Sequence, residues 1–135
     1  YGACNDYPAH TLLIEVTLAD NANQRRMEME PVSRHLGEYM LHHPGEEAYA
    51  MFVTTFLHIN VLADFRVRKR TWYYSSDGNS HIEGMKIIPV QTDVLKAMLQ
   101  KQMRYPAIYV AFAEAHECDA EPKEWYAGCI ESKFK

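Results

Sequence analysis

Short unbroken apolar runs alternate along this chain with longer stretches of helical spacing. Thr11-Leu12-Leu13-Ile14 leading into Val16 predicts a strand buried on both faces. Before it, Asn5-Asp6-Tyr7-Pro8 has turn composition, so residues 1–4 read as the tail of a partner strand in a hairpin. After it, Asp20-Asn21-Ala22-Asn23 supplies caps for a helix from near Gln24 to about Leu41. Pro31 inside that stretch either kinks the helix or begins a second one as its first residue. His42-His43-Pro44-Gly45 ends it. Ala48–Thr54 is a second buried strand, and Asn60–Arg70 fits a short amphipathic helix. Thr71–Tyr74 and Met85–Val90 read as strands around a turn over Ser75–Ser80, and Thr92-Asp93 caps a helix to about Gln102. From Pro106 to Phe134 the tail reads as two helices divided at Cys118–Pro122, with Pro122 suited to a first helical position. This order predicts an α/β or α+β fold, a central mixed sheet flanked by helices with a helical C-terminal tail.

A length of 135 residues suits one domain, residues 1–135, with a single modest core. No run of eighteen apolar residues exists, which excludes a membrane-spanning helix, and nothing marks a secretory leader. Cys4, Cys118 and Cys129 lack paired spacing, which suits free thiols in a reducing cytoplasm and argues against a zinc site. A net charge of −4 argues mildly against nucleic acid as a whole-domain footprint. Locally, Arg66-Val67-Arg68-Lys69-Arg70 and Arg25-Arg26 are basic runs. Solvated surface charge is their commoner origin, and Arg68, Lys69 and Arg70 are the candidates for contact with DNA. The chain opens on Tyr1, mid-strand by pattern, and reads as a fragment of a longer protein.

Glu15 is the informative residue. It stands near the end of an apolar strand, where burying an unpaired carboxylate is unfavourable by several kcal/mol (about 3–5 when a partner is lost), so exposure, a basic partner or a cation must resolve it. Glu28 and His35, two turns apart, share one helix face at roughly 10 Å, and Gln24 lies on that face four residues before Glu28. Amide, carboxylate and imidazole beside a strand-end carboxylate have the makings of a hard-cation site. A plain amphipathic helix, with Met27, Val32, Leu36 and Met40 as its core side, accounts for the spacing equally well. His42-His43 reads as a cation pair at a helix C-terminus. His58 reads as an ordinary strand-end or loop histidine, and Trp72, Tyr73 and Tyr74 as strand core aromatics rather than a DNA-stacking surface.

The segment Leu12–Leu36 resembles the AlwI-type family of type IIS restriction endonucleases and their nicking relatives, within the PD-(D/E)xK nuclease superfamily. The residues carrying the resemblance are Glu15-Val16-Thr17, Asn23-Gln24, Arg26, Glu28, Glu30-Pro31-Val32 and Arg34-His35, with a fainter echo to about residue 102. The resemblance implies a restriction-endonuclease-like cleavage domain that hydrolyses DNA phosphodiesters with Mg2+, for which Mn2+ substitutes. It implies Glu15 as a metal ligand, Val16 as a ligand through its backbone carbonyl, Glu28 as a second carboxylate and His35 as a polar member. The superfamily's usual lysine position is Thr17 here, which leaves Gln24 or His35, through a water, to orient the nucleophile. The superfamily's further aspartate is either Asp6, which lies in the predicted turn, or a residue upstream of Tyr1; if it is not Asp6, this chain by itself is expected to be inactive. Implied partners are double-stranded DNA, a separate DNA-recognition domain or subunit, and a second active site by dimerisation for cutting both strands. A bacterial or archaeal cytoplasm is the expected location. The rivals are a repair or recombination nuclease of the same superfamily, and a catalytically dead DNA- or protein-binding remnant.

Overall fold

The computed structural model describes residues 1–18 and 30–135. Strand β1 (His10–Val16) is followed by helix α1 (Glu30–His42), β2 (Glu47–Thr54) and α2 (Ile59–Arg68). Then come β3 (Trp72–Tyr74), β4 (His81–Glu83), β5 (Lys86–Gln91), α3 (Thr92–Gln100) and α4 (Tyr105–Glu117). The tail is α5 (Pro122–Tyr126), a π-helical turn (Ala127–Glu131) and α6 (Ser132–Phe134).

Strands β1, β2 and β5 form one sheet in the order β1-β2-β5, parallel at both junctions. Parallel strands need crossovers that cover the sheet, so the central strand loses both faces to the interior. Ala48–Thr54 of β2 is accordingly buried throughout. Side chains alternate across the pleat. On one face, Thr11 and Glu15 meet α1, and Phe52 packs edge-on against Phe65 of α2 at 5.2 Å between ring centroids. On the other face, Leu12 and Met51 share a hollow with Leu95 and Met98 of α3 and Phe112 of α4. Trp125, Ile130 and Phe134 of the tail are fully buried and complete this core.

Several expectations needed correction. Residues 1–4 form no strand. Only Tyr1 pairs with His10, through its ammonium to the His10 carbonyl (2.9 Å) and from the His10 N–H to its own carbonyl (3.0 Å). Among the described residues the central sheet is parallel rather than mixed. The antiparallel element is a separate hairpin in which β3 pairs with β4, and Met85–Val90 is not its partner. Three residues give β4 too little alternation to register, while the long apolar run of β5 belongs in the buried sheet. Pro31 lies in the first described turn of α1, and the expected helix start near Gln24 lies outside the described residues. Nor are the hairpin aromatics all core. Trp72 and Tyr74 are exposed beside His81, and only Tyr73 turns inward, donating from its hydroxyl to Glu38 (2.9 Å).

Tyr73 docks the hairpin over Gly37 of α1. A Cβ at Gly37 would lie 2.5 Å from the Tyr73 ring, so any larger residue must displace the hairpin. Gly37→Ala is expected to lower unfolding stability by about 1–3 kcal/mol despite its better helix propensity. Urea denaturation checks this, and an unchanged or raised midpoint would show that the hairpin is not seated on α1.

His116, in the last turn of α4, is held down to about 4 by burial, reinforced by the charges of Lys86 and Lys69. Its neutral form is favoured in the folded chain. The unfolded chain therefore binds an extra proton between the ordinary histidine value of 6.5 and about 4, and stability falls as pH drops through that window. His116→Gln should flatten the plot of unfolding midpoint against pH there.

Candidate functional site

In open parallel α/β sheets ligands gather beyond the carboxyl ends of the strands. Glu15 is the next-to-last residue of β1, in register with Phe52 of β2. Its side chain leaves the pleat toward α1 and is partly exposed (30 %). There it meets His35: Nδ1 lies 2.6 Å from Glu15 Oε1, and the imidazole is half exposed. With Nδ1–H as the donor, Nε2 carries the ring's lone pair. One carboxylate oxygen is thus engaged by imidazole.

The joint between α1 and β1 has a second pin. The Tyr39 hydroxyl, four residues after His35, meets Thr11 Oγ1 at 2.7 Å, four residues before Glu15, and donates to Glu46 (2.9 Å). The sequence reading overlooked Tyr39, although the four-residue helix spacing that grouped Gln24 with Glu28 places it on the His35 face. Val16 follows Glu15 on what is, among the described residues, an edge strand. The Thr17 N–H bonds the Val53 carbonyl of β2 (3.0 Å), and backbone polar groups of successive residues point to opposite sides, so the Val16 carbonyl faces the open edge.

The remaining candidates are placed as follows. Gln24 and Glu28 lie outside the described residues. Asp6 stands in the turn at the far end of β1, in a surface hollow with Met103, Pro106 and Lys133. His10 and Glu15 are separated by roughly 16 Å of strand, so Asp6 is not brought to Glu15. Lys69 and Arg70 both pair with Asp119, at 3.0 and 2.7 Å, and Lys69 also donates to the Glu117 carbonyl. Arg68 contributes its carbonyl to the Met85 N–H. The basic run therefore fastens α2 to the junction of α4 and α5. His42 and His43 bond the carbonyls of Glu38 and Tyr39 at the end of α1, and His58 caps α2 by accepting from the Asn60 N–H (3.1 Å). Among the described residues no three His, Cys, Asp or Glu side chains converge as a metal cluster, and no helix is long and apolar enough to cross a membrane.

A parallel α/β sheet with a carboxylate at the carboxyl end of its edge strand, engaged by a histidine from the crossover helix, defines an α/β protein with a polar strand-end site. The AlwI restriction endonuclease family matches the chain over residues 3–98, and the chain belongs to that family. Among solved structures it is similar to the small subunit (R.BspD6I2) of the heterodimeric restriction endonuclease R.BspD6I, with a TM-score of 0.66 at 20% identity. That likeness covers 95% of this chain and 66% of the solved one, so the chain spans just under two thirds of its relative's length. No curated protein matches the sequence.

Proposed function

We propose that this chain is the cleavage domain of a restriction endonuclease that hydrolyses DNA phosphodiester bonds with Mg2+, Mn2+ substituting. The observation that carries the reading is the Glu15–His35 pair at the carboxyl end of β1, in a chain of the AlwI family. The donors there suit a hard cation: a carboxylate oxygen of Glu15 and the Val16 carbonyl, with Glu28 as the second carboxylate. An ion bound there supplies charge neutralisation at the scissile phosphate and an acidified water. Glu15 holds His35 by Nδ1, and His35 presents Nε2 to accept a proton or a hydrogen bond from the attacking water. Gln24 is the other candidate for that role. Double-stranded DNA is the substrate. Sequence recognition falls to another domain or subunit, and cutting both strands takes a second active site, by dimerisation or from another subunit, a division supported by the solved relative's being one subunit of a heterodimer.

The test is Mn2+ binding by electron paramagnetic resonance together with nicking of supercoiled plasmid in Mg2+, with EDTA as control. Metal binding and EDTA-sensitive nicking are expected of the full-length parent protein. A folded chain that binds DNA and no metal would instead be the non-catalytic remnant. Cleavage confined to branched or damaged DNA would indicate a repair nuclease. His35→Ala should slow nicking by about 10–100-fold, as loss of a residue orienting a ligand does; an unchanged rate would remove His35 from the site and leave the nuclease reading standing.

A further inference from the structure

The end of the sheet that carries Glu15 holds a second feature. Past the carboxyl ends of β2 and β5, a hollow of about 630 Å3 opens between the loop into α2 and helix α5. That volume falls in the ~300–1,000 Å3 span of small-molecule sites. Phe56 and Ile59 form an apolar wall and stay 56 % and 47 % exposed. Large apolar side chains left open beside a site mark a surface that another molecule covers. The floor is polar and fixed. Gln91, the last residue of β5, accepts at Oε1 from the Leu57 N–H (2.8 Å), and its own N–H donates to the Tyr126 hydroxyl (2.9 Å). One residue thus ties the Phe56 loop to the tail. Tyr126 is only 6 % exposed; its hydroxyl accepts that bond, and among the described residues its own proton meets no acceptor. Burial raises the phenol above its usual range, so the proton stays available to donate. Also lining the hollow are Lys123, exposed and in no ion pair among the described residues, and Glu131, whose carboxylate lies 3.4 Å from Lys135 Nζ.

We infer that this hollow, on the reading of the chain as a nuclease, receives an unstacked base of the DNA strand it cuts. A nucleobase has flat apolar faces, donors and acceptors along its edge, and a phosphate one sugar away. Phe56 offers a ring to stack on. Tyr126 offers a proton to a ring nitrogen or carbonyl, and Glu131 an acceptor for an exocyclic amine. Lys123 supplies a point charge for the phosphate. An aliphatic side chain of a protein partner would cover Phe56 and Ile59 but leave the buried Tyr126 proton without an acceptor, which is unfavourable. A base still paired in a duplex shows only its edge in a groove, so its face reaches Phe56 only after leaving the stack. The placement agrees with the proposed cleavage site. In the order β1-β2-β5, β5 lies two strand spacings, roughly 10 Å, from β1. A phosphate at Glu15 and a base in the hollow are then a few nucleotides apart on one strand, at about 3.4 Å of rise each.

The test measures binding of a short fluorescein-labelled single-stranded oligodeoxynucleotide to the intact chain by anisotropy, in EDTA, so that neither metal nor cleavage enters. Binding is expected, weakened about tenfold or more by Phe56→Ala and restored by Phe56→Trp. Tyr126→Phe keeps the ring, loses the proton and should weaken binding about 2–10-fold. Lys123→Ala should lower the slope of log affinity against log salt by about one. In a duplex, 2-aminopurine should brighten on binding the wild-type chain and stay dim with Phe56→Ala. Urea denaturation confirms that each variant is folded. Equal affinity of wild type and Phe56→Ala, or no binding of the single strand, would overturn the base site whatever metal binding and nicking show. Phe56-dependent binding by a chain that takes up no metal would leave the base site standing and sink the nuclease reading alone.

Discussion

Glu15→Ala is expected to abolish metal-dependent cleavage, lowering plasmid nicking by about a thousandfold or more while the chain stays folded. That factor corresponds to several kcal/mol, about 4, of lost transition-state stabilisation, the scale on which a bound divalent ion acts at a phosphoryl centre. The fold should tolerate the change. Glu15 is partly exposed, and its one described side-chain partner is His35, itself half exposed. Surface ion pairs of this kind contribute little to stability. Mn2+ binding separates the explanations: Glu15→Ala should lose the ion as well as the rate, and Glu15→Gln should retain the shape of the side chain and still lose both. Nicking at the wild-type rate by either variant would remove the central residue of the proposed site.

Trp125→Ala is expected to lower the unfolding free energy by about 3–5 kcal/mol, the range for removing a large aromatic from a packed core. Domains of this size hold only about 5–15 kcal/mol in all. The indole is fully buried, bonds the Ala115 carbonyl and carries the Arg66 guanidinium on its face, so its removal also leaves that cation without its aromatic partner. Trp72→Ala is the internal comparison. At 58 % exposure on the β3–β4 hairpin it should change stability by no more than about 0.5 kcal/mol. Urea midpoints for the two variants test both statements; equal losses would mean that the helical tail is not part of the cooperative core.

Much of this was legible along the chain because its causes are local. The apolar runs at Leu12–Val16 and Ala48–Thr54, the helical spacing from Asn60, and the proline at 122 act within a turn or a few residues, and β1, β2, α2 and α5 stand where they place them. Glu15 and His35 were singled out because a charge in an apolar strand and a polar helix face are visible without any fold. The tertiary structure decided what depends on segments far apart in sequence. It set the parallel pairing of β1 and β5 with β2, and it gave β3 the short β4 as partner in place of the run at Met85–Val90. Strand pairing is chosen by which faces can be buried together, and no local pattern carries that choice. The same physics left Asp6 at the opposite end of β1, and buried Trp125 while exposing Trp72. The two residues of the proposed site were readable from sequence; their contact, Nδ1 of His35 on Oε1 of Glu15, exists because the Tyr39–Thr11 bond and the buried side of α1 seat that helix along β1.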